Sequence, residues 1–163
     1  MKTVALLVAI GLLGACAEEE SALDLAQAKA AEDVAVSFVK ACLASDTAGA
    51  IAQCTLPFRM LSRDWEDAEA LKKNLPLHMG EIARSGGVAD RAEVYAGRRL
   101  QSGQWPRGEE LSAEEGARRL AQIGIGPEGF LVLLTGKRGP AVSVRVTPDQ
   151  DGQLRVSGWL GTP

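Results

Sequence analysis

Apolar residues between Ala28 and Leu43 recur at helical spacing (Ala31, Val34, Ala35, Phe38, Ala41, Cys42), and Val36, Val39 and Leu43 widen the stripe. This pattern predicts a helix buried along more than one face. Ser45, Asp46 and Thr47 then form a turn able to stop that helix and cap a second, shorter one over Ala48 to Cys54. Pro57 breaks the second helix and leaves Phe58 to Leu61 as a short strand or a turn. A third helical segment starts near Asp64 or Asp67, sets Leu71 and Leu75 one turn apart and pairs Glu69 with Lys73. Pro76 interrupts it, so Leu77 to Arg84 is either a kinked continuation or a separate turn of helix, and Ser85-Gly86-Gly87 ends it.

Beyond that point the period shortens. Ala92, Val94 and Ala96 alternate with Glu93 and Tyr95, which predicts a strand from about Ala89 to Leu100, followed by a polar loop from Gln101 to Glu110. Ser112-Ala113-Glu114-Glu115 is a capping box, opening a helix that carries Ala117, Leu120 and Ala121 and that Gly124 is placed to close. Phe130 to Leu134 is a continuous apolar run, the mark of a strand covered on both faces. Gly136-Lys137-Arg138-Gly139 turns the chain into Val142, Val144 and Val146, which alternate with Ser143, Arg145 and Thr147. Pro148 to Gly152 turns it again into Leu154 and Val156, alternating with Arg155 and Ser157. The last three strands therefore read as an antiparallel meander.

The register of the final hairpin comes from the same pattern. Both apolar sets fall on even numbers, so facing residues must sum to an even total if one face is to stay buried. A loop of Gln150-Asp151-Gly152 with Gly152 left-handed meets this condition and sets Arg145 across from Ser157 and Thr147 across from Arg155. The next even register would oppose Arg145 and Arg155, two like charges. Helices first and strands later define an α+β domain.

The amino-terminal segment has a different pattern. Lys2 precedes Val4 to Ala15, a run without charge, in the layout of a secretory signal and too short for a spanning helix of about 20 residues. Leu13-Gly14-Ala15-Cys16 resembles the lipobox of bacterial lipoproteins. That resemblance implies cleavage before Cys16, lipid attachment to the Cys16 sulfur, and acyl chains as the contact to a membrane. An ordinary signal peptide cut after Ala15 is the plainer reading. Ala17 rather than Asp after the cysteine implies a place in the bacterial cell envelope, lipid-anchored at the outer membrane and facing the periplasm. The organisation expected is a signal peptide over 1–15, an acidic tether over 16–27 and a single domain over 28–163.

Without residues 1–15 the chain has 17 basic and 21 acidic residues, mildly acidic and lacking the basic stripe that nucleic acid requires. In an oxidising compartment Cys42 and Cys54 form an even set across the helix-to-helix turn. Two readings stand side by side: a bridge that would contribute about 3 kcal/mol, or two reduced thiols packed as small core residues.

The segment AEDVAVSFVKACLASDTAGAIAQCTLPF, Ala31 to Phe58, and the closing RVSGWLG resemble the nuclear transport factor 2-like superfamily. The resemblance implies helices held in a curved, cone-like antiparallel sheet. The helix from Ala113 to Ile123 departs from it. That superfamily includes isomerases, dehydratases and binding modules, so the fold alone does not choose among them. The isomerase type places a tyrosine and carboxylates on the first helix, where this chain has Phe38, and the dehydratase type relies on histidines, of which this chain has 1.

No catalytic residue, metal site or cofactor is assigned. His78 after Pro76, Tyr95 on its strand and Trp159 near the carboxyl end are candidates to line a pocket, against structural readings for each. Cys42, Cys54 and a single histidine fall short of a zinc site. The expectation is a periplasmic binding or assembly module for a small apolar ligand or an envelope protein. The alternative is an isomerase- or dehydratase-like enzyme using the interior of the cone.

Overall fold

The computed structural model describes residues 5–86, 89–136 and 142–161, with side chains from Asp24 onward apart from residues 85–90. Helix α1 (Ala5–Leu43) buries Ala31, Ala35, Phe38, Val39 and Cys42, the stripe its apolar spacing dictates. Ser45 takes a left-handed φ of 55° and Asp46 caps α2 (Thr47–Ala52), accepting from the Gly49 amide at 2.8 Å. The backbone of residues 16–27, the expected tether, belongs to α1, while the side chains of residues 16–23, that of Cys16 among them, and the turn at Lys137 to Gly139 lie outside the described residues. Among the described residues no helix is long and apolar enough to cross a membrane.

The chain then forms β1 (Cys54–Met60), β2 (Arg63–Trp65), α3 (Ala68–Gly86), β3 (Ala89–Ala96), α4 (Gly97–Gln101), a 3-10 turn (Pro106–Gly108), α5 (Ala113–Ile123), β4 (Phe130–Gly136), β5 (Val142–Pro148) and β6 (Leu154–Gly161). Asp67 caps α3, its carboxylate accepting from the Ala70 amide at 2.7 Å. Pro76 sits inside α3, so Leu77 to Arg84 continues one helix. The buried stripe of Leu71, Leu75, Met79 and Ile82 carries the helix across the missing hydrogen bond. Ser112 accepts from the Glu115 amide at 3.2 Å and Gly124 closes α5 in the left-handed conformation, whereas the Glu115 carboxylate turns outward to Arg118 and Arg119 instead of reaching back.

The six strands form one sheet in the order β2-β1-β6-β5-β4-β3. It is open and not curled, so the cone-like sheet is corrected. The ending is corrected as well: β4, β5 and β6 run antiparallel as interior strands of a mixed sheet, in which β1 lies parallel to β6 and β3 adds an antiparallel edge. The physical reason lies in β4. Phe130, Val132 and Leu134 pack with α1 and α3, while Leu131 and Leu133 pack with Leu100, Leu120 and Ile125 on the opposite side. Helices on both faces hold the sheet between two layers, and no side is left to wrap around α1.

The final hairpin keeps the expected register only at its turn end. Thr147 faces Arg155 and Gly152 is left-handed at φ 76°, but beyond Val146↔Val156 the ladder slips and Arg145 faces Gly158. The slip reconciles Val156 with Trp159, which share one core cluster although three residues apart. A strand alternates faces with period 2, so one extra residue must be inserted between them.

Candidate functional site

A second irregularity in the sheet opens a cavity. Strand β1 pairs with β6 at Cys54↔Val156 and again at Arg59↔Gly158, so five steps along β1 oppose two along β6. The surplus residues bow away around Pro57, which has no amide hydrogen to give to a ladder. Under the bow lies an open cavity of about 870 Å³, walled by Thr55, Leu56, Pro57, Arg59, Arg145 and Thr147 and rimmed by the β5–β6 turn.

Arg145 lies beneath this cavity, 5 % exposed. Its Nε donates to Ser157 Oγ at 3.0 Å, Nη1 to the carbonyls of Ile123 and Gly124 at 3.1 and 3.2 Å, and Nη2 to those of Pro57 and Ser157 at 3.2 and 2.5 Å. Each of its five N–H groups thus meets a neutral acceptor. The guanidinium ties the bowed β1, the inserted residue of β6 and the end of α5 into one knot. Burial, and after it the nearby Arg59 charge, lower its pKa, with Asp64 acting in the other direction. Gly124 is required here, because a Cβ would collide with Arg145 Nη1 and φ is 69°.

Arg59 is held differently. It faces Asp64 across the β1–β2 hairpin and meets it through two bonds, Nε to Oδ1 at 2.7 Å and Nη2 to Oδ2 at 2.6 Å, while Nη1 donates to the Gln122 carbonyl at 2.6 Å. Among the described residues each terminal nitrogen of Arg59 keeps one N–H without an acceptor. The hydrogen bond from Arg59 lowers the Asp64 pKa, a larger effect than the opposing desolvation. The cluster of Arg59, Arg145 and Asp64 carries one net positive charge. At the rim, Asp149 accepts from the amides of Asp151 and Gln153 at 2.9 Å and pairs with Arg155 at 3.4 Å.

The residues singled out from sequence are scattered. His78 on α3 lies 5.9 Å from Trp65, ring to ring, and 3.6 Å from the Glu81 carboxylate. Tyr95 belongs to the core cluster on the α5 face and donates to Glu93 at 2.7 Å, whereas Trp159 is buried in the cluster under α1 and α3. The sheet separates Tyr95 from His78 and Trp159, so the three form no common pocket. Cys42 and Cys54 are unbridged, and the Cys54 thiol donates to the Ala50 carbonyl at 3.2 Å. Burial pushes the Cys42 thiol up to about 12 and raises that of Cys54 as well, so both stay protonated at neutral pH. Among the described residues no group of three His, Cys, Asp or Glu side chains could hold a metal ion.

Pattern reading passes over Arg59, Asp64, Gly124 and Ser157 as parts of a site, because their meeting depends on two irregularities that strand alternation does not encode. Arg145 does stand out as a charge among valines. Alternation assigns it to solvent, yet α5 and the bowed β1 cover it.

No family model, no curated protein and no solved structure matches the chain. Both resemblances are therefore corrected. The chain finds no relative among bacterial lipoproteins or nuclear transport factor 2-like proteins, and the sheet that would carry the second likeness is open.

Proposed function

We propose that the chain is a binding module whose ligand occupies the cavity under the bowed part of β1. The observation that carries this reading is a cavity of about 870 Å³ with a buried cation beneath it and a second guanidinium with N–H groups to spare. That volume lies within the range of small-molecule pockets, roughly 300–1,000 Å³, and the walls join apolar surface from Leu56, Pro57 and Pro148 to a few convergent polar groups. An enzyme working in the interior of a cone has lost its location, since the sheet is open and α1 and α3 pack on that face. Titrating a panel of small polar and apolar compounds into the 15N-labelled protein tests the reading. Amide shifts concentrated at Thr55, Leu56, Arg59, Gly124 and Thr147 are expected; shifts concentrated on α3 or β3 would place the ligand elsewhere and refute it.

The compartment proposed is the cell envelope, supported by the charge-free run of Val4 to Ala15 behind Lys2. Fractionation of the host, with the intact mass of the recovered chain, reads both its location and its first residue. A cytoplasmic chain retaining residues 1–15 would end that proposal.

A further inference from the structure

We infer that the cavity receives an organic monocarboxylate, its oxyanion held by the two spare N–H groups of Arg59 in the field of Arg145 and its apolar body against Leu56, Pro57 and Pro148. The inference rests on the binding reading above and adds the class of ligand. Two parts of the site lead to it.

The first is the division of labour between the two arginines. Arg145 spends all its donors on Ser157 and on backbone carbonyls, so it supplies charge but no hydrogen bond to a guest. None of those acceptors is a carboxylate, and the buried charge is left without a counter-ion of its own. Arg59 has the opposite character. Its pairing with Asp64 fixes the guanidinium plane, while Nη1 and Nη2 each retain one donor on a side chain that lines the cavity. Two donors on one rigid plane match the two oxygens of a carboxylate.

The second part is the charge count. At the base of the cavity Arg59 and Arg145 against Asp64 leave one positive charge, which a monoanion cancels, while at the rim Asp149 is paired with Arg155 and Asp151 adds a negative charge. The rim charge acts on any anion, but it repels a phosphate dianion about twice as strongly as a monoanion, and the second phosphate charge finds no partner at the base. The walls supply the rest of the specificity. Leu56 is 38 % exposed on the bow and Pro57 and Pro148 are exposed beside it, which gives an alkyl body apolar surface to cover. Thr55 and Thr147 line the same cavity and add two hydroxyl groups to its wall.

The test uses the full chain and three probes: sodium hexanoate, hexan-1-ol and inorganic phosphate, each followed through the resonances of the cavity residues. Hexanoate should bind about tenfold or more tightly than hexanol, the size of effect expected for hydrogen bonds to a charged group. Its affinity should fall as salt is raised. Equal binding of hexanol and hexanoate would overturn the carboxylate inference while leaving the binding reading intact. Tighter binding of phosphate would overturn it in favour of a phosphate-bearing ligand, and silence from all three probes would remove both readings. Arg59→Gln should weaken hexanoate about tenfold. Asp64→Asn should act in the opposite sense: its amide oxygen can still accept from Arg59 Nε and hold the guanidinium, while the loss of the competing negative charge strengthens hexanoate binding. An unchanged or weakened affinity in Asp64→Asn would mean that the arginine pair is purely structural, and it would sink the inference even if Arg59→Gln failed to fold.

Discussion

Asp64 illustrates how one residue links the fold to the site. Its carboxylate makes two bonds to Arg59, and its pKa is lowered from the ordinary 3.8, first by that hydrogen bond. The sign of the pH effect is set by the direction of the shift. A carboxylate with a depressed folded-state pKa adds stability above its unfolded value, and that contribution is lost as pH falls through the folded value. Urea unfolding of the parent protein should therefore show a stability loss below about pH 4 that is smaller in Asp64→Asn. The same acid slope in parent and variant would show that the pair does not contribute. Leu61 in the same hairpin has φ 54°, an unusual value for a bulky side chain, and it is 47 % exposed in the turn that brings Arg59 opposite Asp64.

At the scale of elements, the helices and strands legible in the sequence are those with local signals. The Ser112 cap, the Gly124 stop and the all-apolar β4 need no knowledge of their neighbours. The elements that pattern alone misplaces are those that depend on tertiary contacts. Pro76 signals an interruption, but α3 continues because Leu75 and Met79 are anchored on either side of it. The anchored helix still lacks one hydrogen bond, so Pro76→Ala should raise stability by about 1–3 kcal/mol. The checking measurement is a higher urea midpoint at unchanged slope. Strand β2 escapes detection because three residues with a single buried side chain, Trp65, carry no periodicity. Helix α4 escapes in the same way, Gly97–Gln101 being only five residues long.

On the scale of the whole molecule, the decisive feature is that β4 is covered twice. Leu131 and Leu133 belong to the cluster with Leu100, Leu120 and Ile125. This second layer fixes the end of α5, whose carbonyls at Gln122, Ile123 and Gly124 receive Arg59 and Arg145. Leu131→Ala should cost about 2–5 kcal/mol, as expected for a buried leucine. It should also accelerate hydrogen exchange along α5 relative to α1, since only the α5 side loses packing. Equal acceleration in both helices would mean that the two layers are not separate in energy.

Local chemistry, written in the order of residues, was sufficient for the long buried stripe of α1, the caps of α2 and α5, the left-handed turn at Gly152 and the alternating strands of the carboxyl half. These depend on period, side-chain capping and backbone freedom within a few residues of one another. The open sheet, the parallel pairing of β1 with β6 and the meeting of Arg59, Asp64, Arg145 and Ser157 arise otherwise. They depend on two places where a strand carries more residues than its neighbour, and such an excess is defined only once two distant segments lie side by side. The cysteines show the same division: burial of Cys42 is written in the apolar stripe around it, whereas the place of Cys54 at the start of β1 comes from the pairing of that strand with β6.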